Sequence, residues 1–116
     1  MRGPETRLRK KMEKALKAEW PKGYFRKIHG NQYQNAGIPD LLCCVEGLFI
    51  ALEVKTARGK TTPIQEFELK MIRNASGYVA VVRTVQEAID AVRTALKSYK
   101  GPSESKKKSY SHRVAP

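Results

Sequence analysis

Two short apolar runs, Leu41-Leu42-Cys43-Cys44-Val45 and Leu48-Phe49-Ile50-Ala51-Leu52, are separated by only two residues, Glu46-Gly47. Two β-strands joined by a two-residue turn make a hairpin. A hairpin sets the start of its first strand beside the end of its second, and charged residues stand at both places. Gly37-Ile38-Pro39-Asp40 enters the first run and Glu53-Val54-Lys55 leaves the second, so Asp40 and Glu53 become neighbours. Strand side chains alternate faces, which puts Glu53 and Lys55 on one face and Val54 on the other. Two carboxylates and an ammonium at one end of a sheet suit a hard divalent cation such as Mg2+, which takes oxygen ligands and keeps several waters. Taken alone, a Glu-x-Lys is equally an ordinary surface ion pair of small energy.

The chain has 116 residues, which fits one domain with a modest core. Apolar residues make up 41% of it, and no run approaches the roughly 20 residues of a membrane span. Residues 1–11 are charged and contain no apolar signal segment, so the expected location is the cytoplasm. The two cysteines, Cys43 and Cys44, are adjacent in a strand and point to opposite faces. That arrangement excludes a disulfide framework and a zinc cluster, and leaves buried free thiols.

The net charge is +12, and it is unevenly placed. Residues 1–30 carry ten Lys/Arg against three Glu, residues 97–116 carry six against one, and residues 31–96 carry seven of each sign. A neutral middle flanked by basic segments favours a polyanionic partner, nucleic acid first. Binding driven by phosphate attraction would be salt-dependent and largely indifferent to sequence.

Residues 4–20 read as a helix, with Pro4 in the first turn and Pro21 and Gly23 ending it. Leu8, Met12, Ala15, Leu16 and Trp20 form its apolar face. At about 100° per residue, Glu5 falls within the arc of Leu8, Met12 and Leu16, whereas Glu13 falls outside it and is expected in solvent. An inward acid needs a reason. Metal binding is one, and the preference of helix N-termini for acids is another. Tyr24 to Ile28 reads as a short strand, and 30–37 as a polar loop able to touch a substrate through Tyr33. Thr62, Pro63 and Gln65 make a capping box that starts a second helix, whose expected inner face is Ile64, Phe67, Met71 and Ile72. Tyr78 to Val82 reads as a buried strand. A second capping box, Thr84 with Glu87, starts a last helix, with Ala88, Ile89, Val92 and Leu96 facing inward. Residues 101–116 read as a basic disordered tail, leaving 1–100 as the domain.

The order αβββαβ with Pro39-Asp40 and Glu53-Val54-Lys55 resembles the PD-(D/E)XK nuclease superfamily. The finer pattern is similar to its VRR-NUC (virus-type replication-repair nuclease) branch. The matching residues are Glu5, Gly37-Ile38-Pro39-Asp40, Glu53-Val54-Lys55, Gly59 and Gln65, within roughly residues 5–95. The resemblance implies a restriction-endonuclease-like α/β fold: a mixed central sheet flanked by helices, with a C-terminal helix beyond the core. It implies a metal-dependent DNA endonuclease using Mg2+ or Mn2+. Asp40 and Glu53 would be ligands, Glu5 a ligand directly or through water, and the Val54 carbonyl a further one. Lys55 would act on the attacking water and the scissile phosphate. Gln65 is a family position that the capping box also explains, and Glu13 is the rival of Glu5. Arg9, Lys27, Tyr33, Arg58 and Lys60 would hold the nucleic-acid backbone. Free-standing members, often of phage origin, are similar to junction-resolving dimers, which implies branched DNA and a homodimer. The alternative is a basic nucleic-acid-binding protein that keeps the fold without catalysis.

Overall fold

A computed structural model describes residues 3–28 and 37–99. Three helices and four strands follow the expected order: α1 (Pro4–Glu19), β1 (Tyr24–Lys27), β2 (Leu41–Val45), β3 (Leu48–Val54), α2 (Pro63–Asn74), β4 (Tyr78–Val82) and α3 (Val85–Ser98). The four strands form one sheet in the order β1-β2-β3-β4. β1 pairs with β2 and β2 with β3 antiparallel, while β3 pairs with β4 in parallel. The sheet is therefore mixed, and the crossover from β3 to β4 carries α2.

The hairpin closes on Glu46 (φ 52°) and Gly47 (φ 85°), with Val45 opposite Leu48. Two consecutive positive φ values are what a tight turn needs to follow the twist of the strands. Leu41 stands opposite Leu52, one residue before Glu53 and one after Asp40. This register joins the two charged segments.

The main core lies on one sheet face. Leu41, Cys43, Val45, Leu48, Ile50, Leu52 and Val54 meet Met12 and Leu16 of α1 and Ala88, Val92 and Ala95 of α3. Cys43 is buried there, but Cys44 is exposed on the opposite face, so only one of the two thiols is a core residue. Burial and the nearby Glu13 carboxylate push the Cys43 thiol up to about 12, which leaves it unreactive.

On the other sheet face α2 packs beside β4 and leaves Cys44 and Phe49 exposed, and of its four residues expected to face inward only Ile72 does. Ile64, Phe67 and Met71 are 50%, 60% and 50% exposed, and Leu69 is the buried residue of the helix. Gln65, Leu69 and Ile72 form the inward stripe, rotated from the expected one so that only Ile72 is common to both. The cause is polar: Thr62 and Gln65 form the full capping box, and Gln65 also reaches the sheet.

The start of α3 departs from expectation too. Glu87 N–H donates to Thr84 Oγ1 at 3.0 Å, but the Glu87 carboxylate accepts from Arg83 N–H at 2.7 Å instead of completing a box on Thr84. Among the described residues no helix is long and apolar enough to cross a membrane.

Candidate active site at the open end of the hairpin

Asp40 arrives through a constrained approach. Gly37 has φ +84°, and a Cβ there would lie 2.8 Å from the Ile64 carbonyl oxygen. Only glycine tolerates both the backbone angle and the contact, so the segment leading to Asp40 lies flat on the start of α2. The Asp40 carbonyl then accepts from Ile28 N–H at 3.0 Å, and its carboxylate Oδ2 accepts from Val54 N–H at 2.8 Å. A charge-assisted bond from a strand amide holds the carboxylate in one place.

Glu53 is 1% exposed, an extreme position for an acid. Its Oε2 accepts from Gln65 Nε2 at 3.1 Å and lies 3.5 Å from Lys55 Nζ. Its Oε1 is buried and has no hydrogen-bond partner among the described residues. Burial, then the charge of Asp40, pushes its carboxyl up to about 8, with the Lys55 ammonium pulling the other way. Leaving a buried acceptor unmade costs about 1–3 kcal/mol. A divalent cation at that oxygen would satisfy it.

Lys55 is itself buried, its amide donating to Val82 O at 3.1 Å. Glu5, half-buried at the start of α1, is raised by burial and by Asp40, and is held down by Lys55. Asp40 and Lys55 thus act on both other acids. Glu5, Thr6, Arg9, Lys27 and Asp40 line a pocket of about 100 Å3. Larger concavities of about 520 and 400 Å3 open elsewhere, one of them against Val45 and Glu46 at the turn end of the hairpin, and neither gathers these acids.

Gln65 serves both roles left open by its position. Its Oε1 accepts from Thr62 N–H at 2.9 Å, closing the cap, while its Nε2 holds Glu53. Arg9 and Glu13 differ from expectation. Arg9 is 5% exposed and donates to Glu13 Oε1 at 3.3 Å, and Glu13, partly buried, also receives Lys17 at 3.0 Å. Glu13 is therefore a structural partner for a buried guanidinium. Arg9 is not a solvent-facing phosphate contact but part of the pocket wall. Lys27 is half-buried on the same wall, and Arg58 and Lys60 are exposed on the loop after β3. Tyr33 and the tail 101–116 lie outside the described residues.

Among the described residues no three Asp, Glu, His or Cys side chains converge into a ready metal cage. The donor set still fits a hard cation. Two carboxylates and a strand-end carbonyl are enough for Mg2+, which retains waters for its remaining positions. Asp40 and Glu53 would be the residues to hold such an ion, with Glu5 and the Val54 carbonyl as the further ligands expected from the sequence.

No family model and no curated protein matches the chain. Solved structures do, two of them as follows. One, described as a VRR_NUC domain, is 25% identical, covers 72% of this chain and 92% of its own, and superposes with a TM-score of 0.58. Another, a VRR_NUC domain protein, is 18% identical, with coverages of 84% and 92% and a TM-score of 0.68. The element order, the mixed sheet and the acids at its open end define a restriction-endonuclease-like α/β fold. Within that class its fold is similar to that of these VRR_NUC domain structures.

Proposed function

We propose that this chain is a metal-dependent endonuclease that hydrolyses DNA phosphodiester bonds, acting on branched forms such as four-way junctions. The observation that carries the reading is Glu53: a buried carboxylate with one orphan oxygen, beside an amide-pinned Asp40 and a buried Lys55. Buried polar groups are rarely left unpartnered, and a perturbed acid that is marks a candidate site.

Bound Mg2+ or Mn2+ supplies a polarised phosphate and a more acidic water. The chain's own groups do the rest. Glu5, Asp40 and Glu53 carry three negative charges against the one positive charge of Lys55, a balance that a divalent ion closes. Lys55, held by Glu53, offsets charge on the scissile phosphate and orients the attacking water. The water oxygen bonds to phosphorus as the water gives up one proton to solvent, the bond to the leaving oxygen breaks, and that oxygen collects a proton from solvent. Gln65 keeps Glu53 from turning away. Lys27 on the pocket wall, and Arg58 and Lys60 on the loop, engage flanking phosphates. The net charge of +12 supports a nucleic-acid substrate.

Assembly as a homodimer belongs to the same proposal. A junction presents two related strands, and one chain carries one such site. The exposed stripe Ile64, Phe67 and Met71 on α2 supports association with a second copy through a self-complementary contact.

The test incubates the protein with four-way junction, flap, duplex and single-stranded DNA in chelator, Mg2+ or Mn2+. Junction cleavage only with metal is the expected result. Metal-independent binding of every substrate with no cleavage would instead identify a non-catalytic binder. Light scattering at micromolar protein decides the oligomeric state: a monomer that stays monomeric on the junction removes the dimer reading.

A further inference from the structure

The loop that follows Lys55 is held from a distance. Thr56–Gly59 closes a turn through Gly59 N–H to Thr56 O at 3.0 Å. The guanidinium of Arg83, just beyond the end of β4, reaches across and donates from one nitrogen, Nη1, to both Thr56 O at 2.7 Å and Gly59 O at 2.6 Å. Arg83 is itself tethered, its amide donating to Glu87 Oε1. Gly59 lies against the stem of Lys55: a Cβ at Gly59 would stand 3.4 and 3.5 Å from Lys55 Cδ and Cβ. The turn that Arg83 grips is therefore a wall for the Lys55 side chain, whose Nζ is aimed at Glu53, and its tip carries the exposed Arg58.

We propose that Arg83 is a positioning residue: by clamping the Thr56–Gly59 turn it confines Lys55 to the orientation that serves the scissile phosphate. The inference rests on the nuclease reading above. Two charge-assisted bonds to carbonyls are worth enough to hold a four-residue turn that has little packing of its own. A stem of four methylenes, left unwalled, would spread over several rotamers. The effect falls on turnover more than on substrate binding, because the charge of Lys55 survives while its direction is lost.

The test compares full-length wild type with Arg83→Met and Arg83→Lys. Both carbonyl bonds come from a single nitrogen, so a lysine ammonium, one nitrogen with three donors, restores most of the function, whereas methionine fills the space without donating. In Mg2+, Arg83→Met should lower kcat by about tenfold or more with little change in KM, and Arg83→Lys should recover most of the loss. Hydrogen exchange at the Gly59 amide should speed up by about tenfold in Arg83→Met, while the amides of Ile50 and Leu52 stay as protected as in wild type. An unchanged kcat in Arg83→Met, a lysine variant as poor as the methionine one, or Gly59 exchange that does not move overturns the proposal. Loss of protection at Ile50 and Leu52 in both variants would show a plain fold defect and also overturn it. If wild type cuts no substrate, the nuclease reading falls and the positioning role falls with it; the exchange comparison still decides whether the clamp exists.

Discussion

The backbone N–H of Val54 donates to Oδ2 of Asp40 at 2.8 Å across the open end of the hairpin. One acid of the site is thus fixed by a strand amide that the sheet itself immobilises. Its neighbour Glu53 is fixed by side chains alone, Gln65 and Lys55, and keeps one oxygen free.

The two acids should respond differently to neutral isosteres. Asp40→Asn and Glu53→Gln both remove a metal ligand and should abolish cleavage. Only Glu53→Gln removes a buried, poorly satisfied charge, so at pH 8 without metal it should melt above wild type. Cleavage assays beside thermal melting check this, and full activity in either variant would overturn the ligand assignment.

Glu53 also sets a pH dependence. Its folded value, about 8, lies above the ordinary 4.5. Between these values the folded protein retains a proton that the unfolded chain has released, so stability falls as pH rises. Metal-free protein should therefore be most stable below about pH 4.5 as far as this group is concerned, and lose that contribution through pH 8. Added Mg2+ should restore stability most strongly at the alkaline end, where binding needs no proton released. Melting curves across pH, with and without Mg2+, would show the crossover; a flat metal effect from pH 6 to 9 would contradict it.

Lys55→Met keeps the stem that packs against Gly59 and removes the ammonium. Turnover should drop strongly while metal affinity, measured by calorimetry, changes little, since an ammonium is not a ligand. Collapsed affinity with an intact rate would mean that Lys55 holds the acids rather than serving the phosphate.

Gln65→Glu separates the two duties of that side chain. The carboxylate can still accept from Thr62 N–H, so the helix start is kept and the loss of stability should stay below the ~1 kcal/mol typical of a missing cap. It cannot donate to Glu53, and it adds a further acid beside it. Activity should fall much further than stability; equal losses would make Gln65 a capping residue only.

Glu5→Ala and Glu13→Ala should fail in different assays. Glu5 lines the pocket with Asp40, so its loss should reduce cleavage with little change in melting. Glu13 partners a buried Arg9, so its loss should cost about 1–3 kcal/mol of stability. Reversed outcomes would exchange their roles.

Most of the fold is legible in the chain itself because its signals are local. A two-residue turn between five-residue apolar runs specifies the hairpin, and the hairpin alone brings Asp40 to Glu53. Thr62, Pro63 and Gln65 mark the start of α2 within four residues. Helical spacing, however, says only which residues share a side, not which side meets the sheet. The stripe Ile64, Phe67 and Met71 faces outward because Gln65 is drawn to Glu53 and Leu69 to the interior, a choice made by contacts between elements. The same limit explains Arg9 and Glu13. A charged pair one helical turn apart reads as solvated until the packing of α1 places it beside the core. Arg83 carries no local signal of its role, since the carbonyls it grips lie 24 and 27 residues away and meet it only through the parallel pairing of β3 with β4. Local sequence determined the elements and the pair of acids. The tertiary structure decided their rotation, their burial and the clamp around Lys55, because those depend on which surfaces exclude water together.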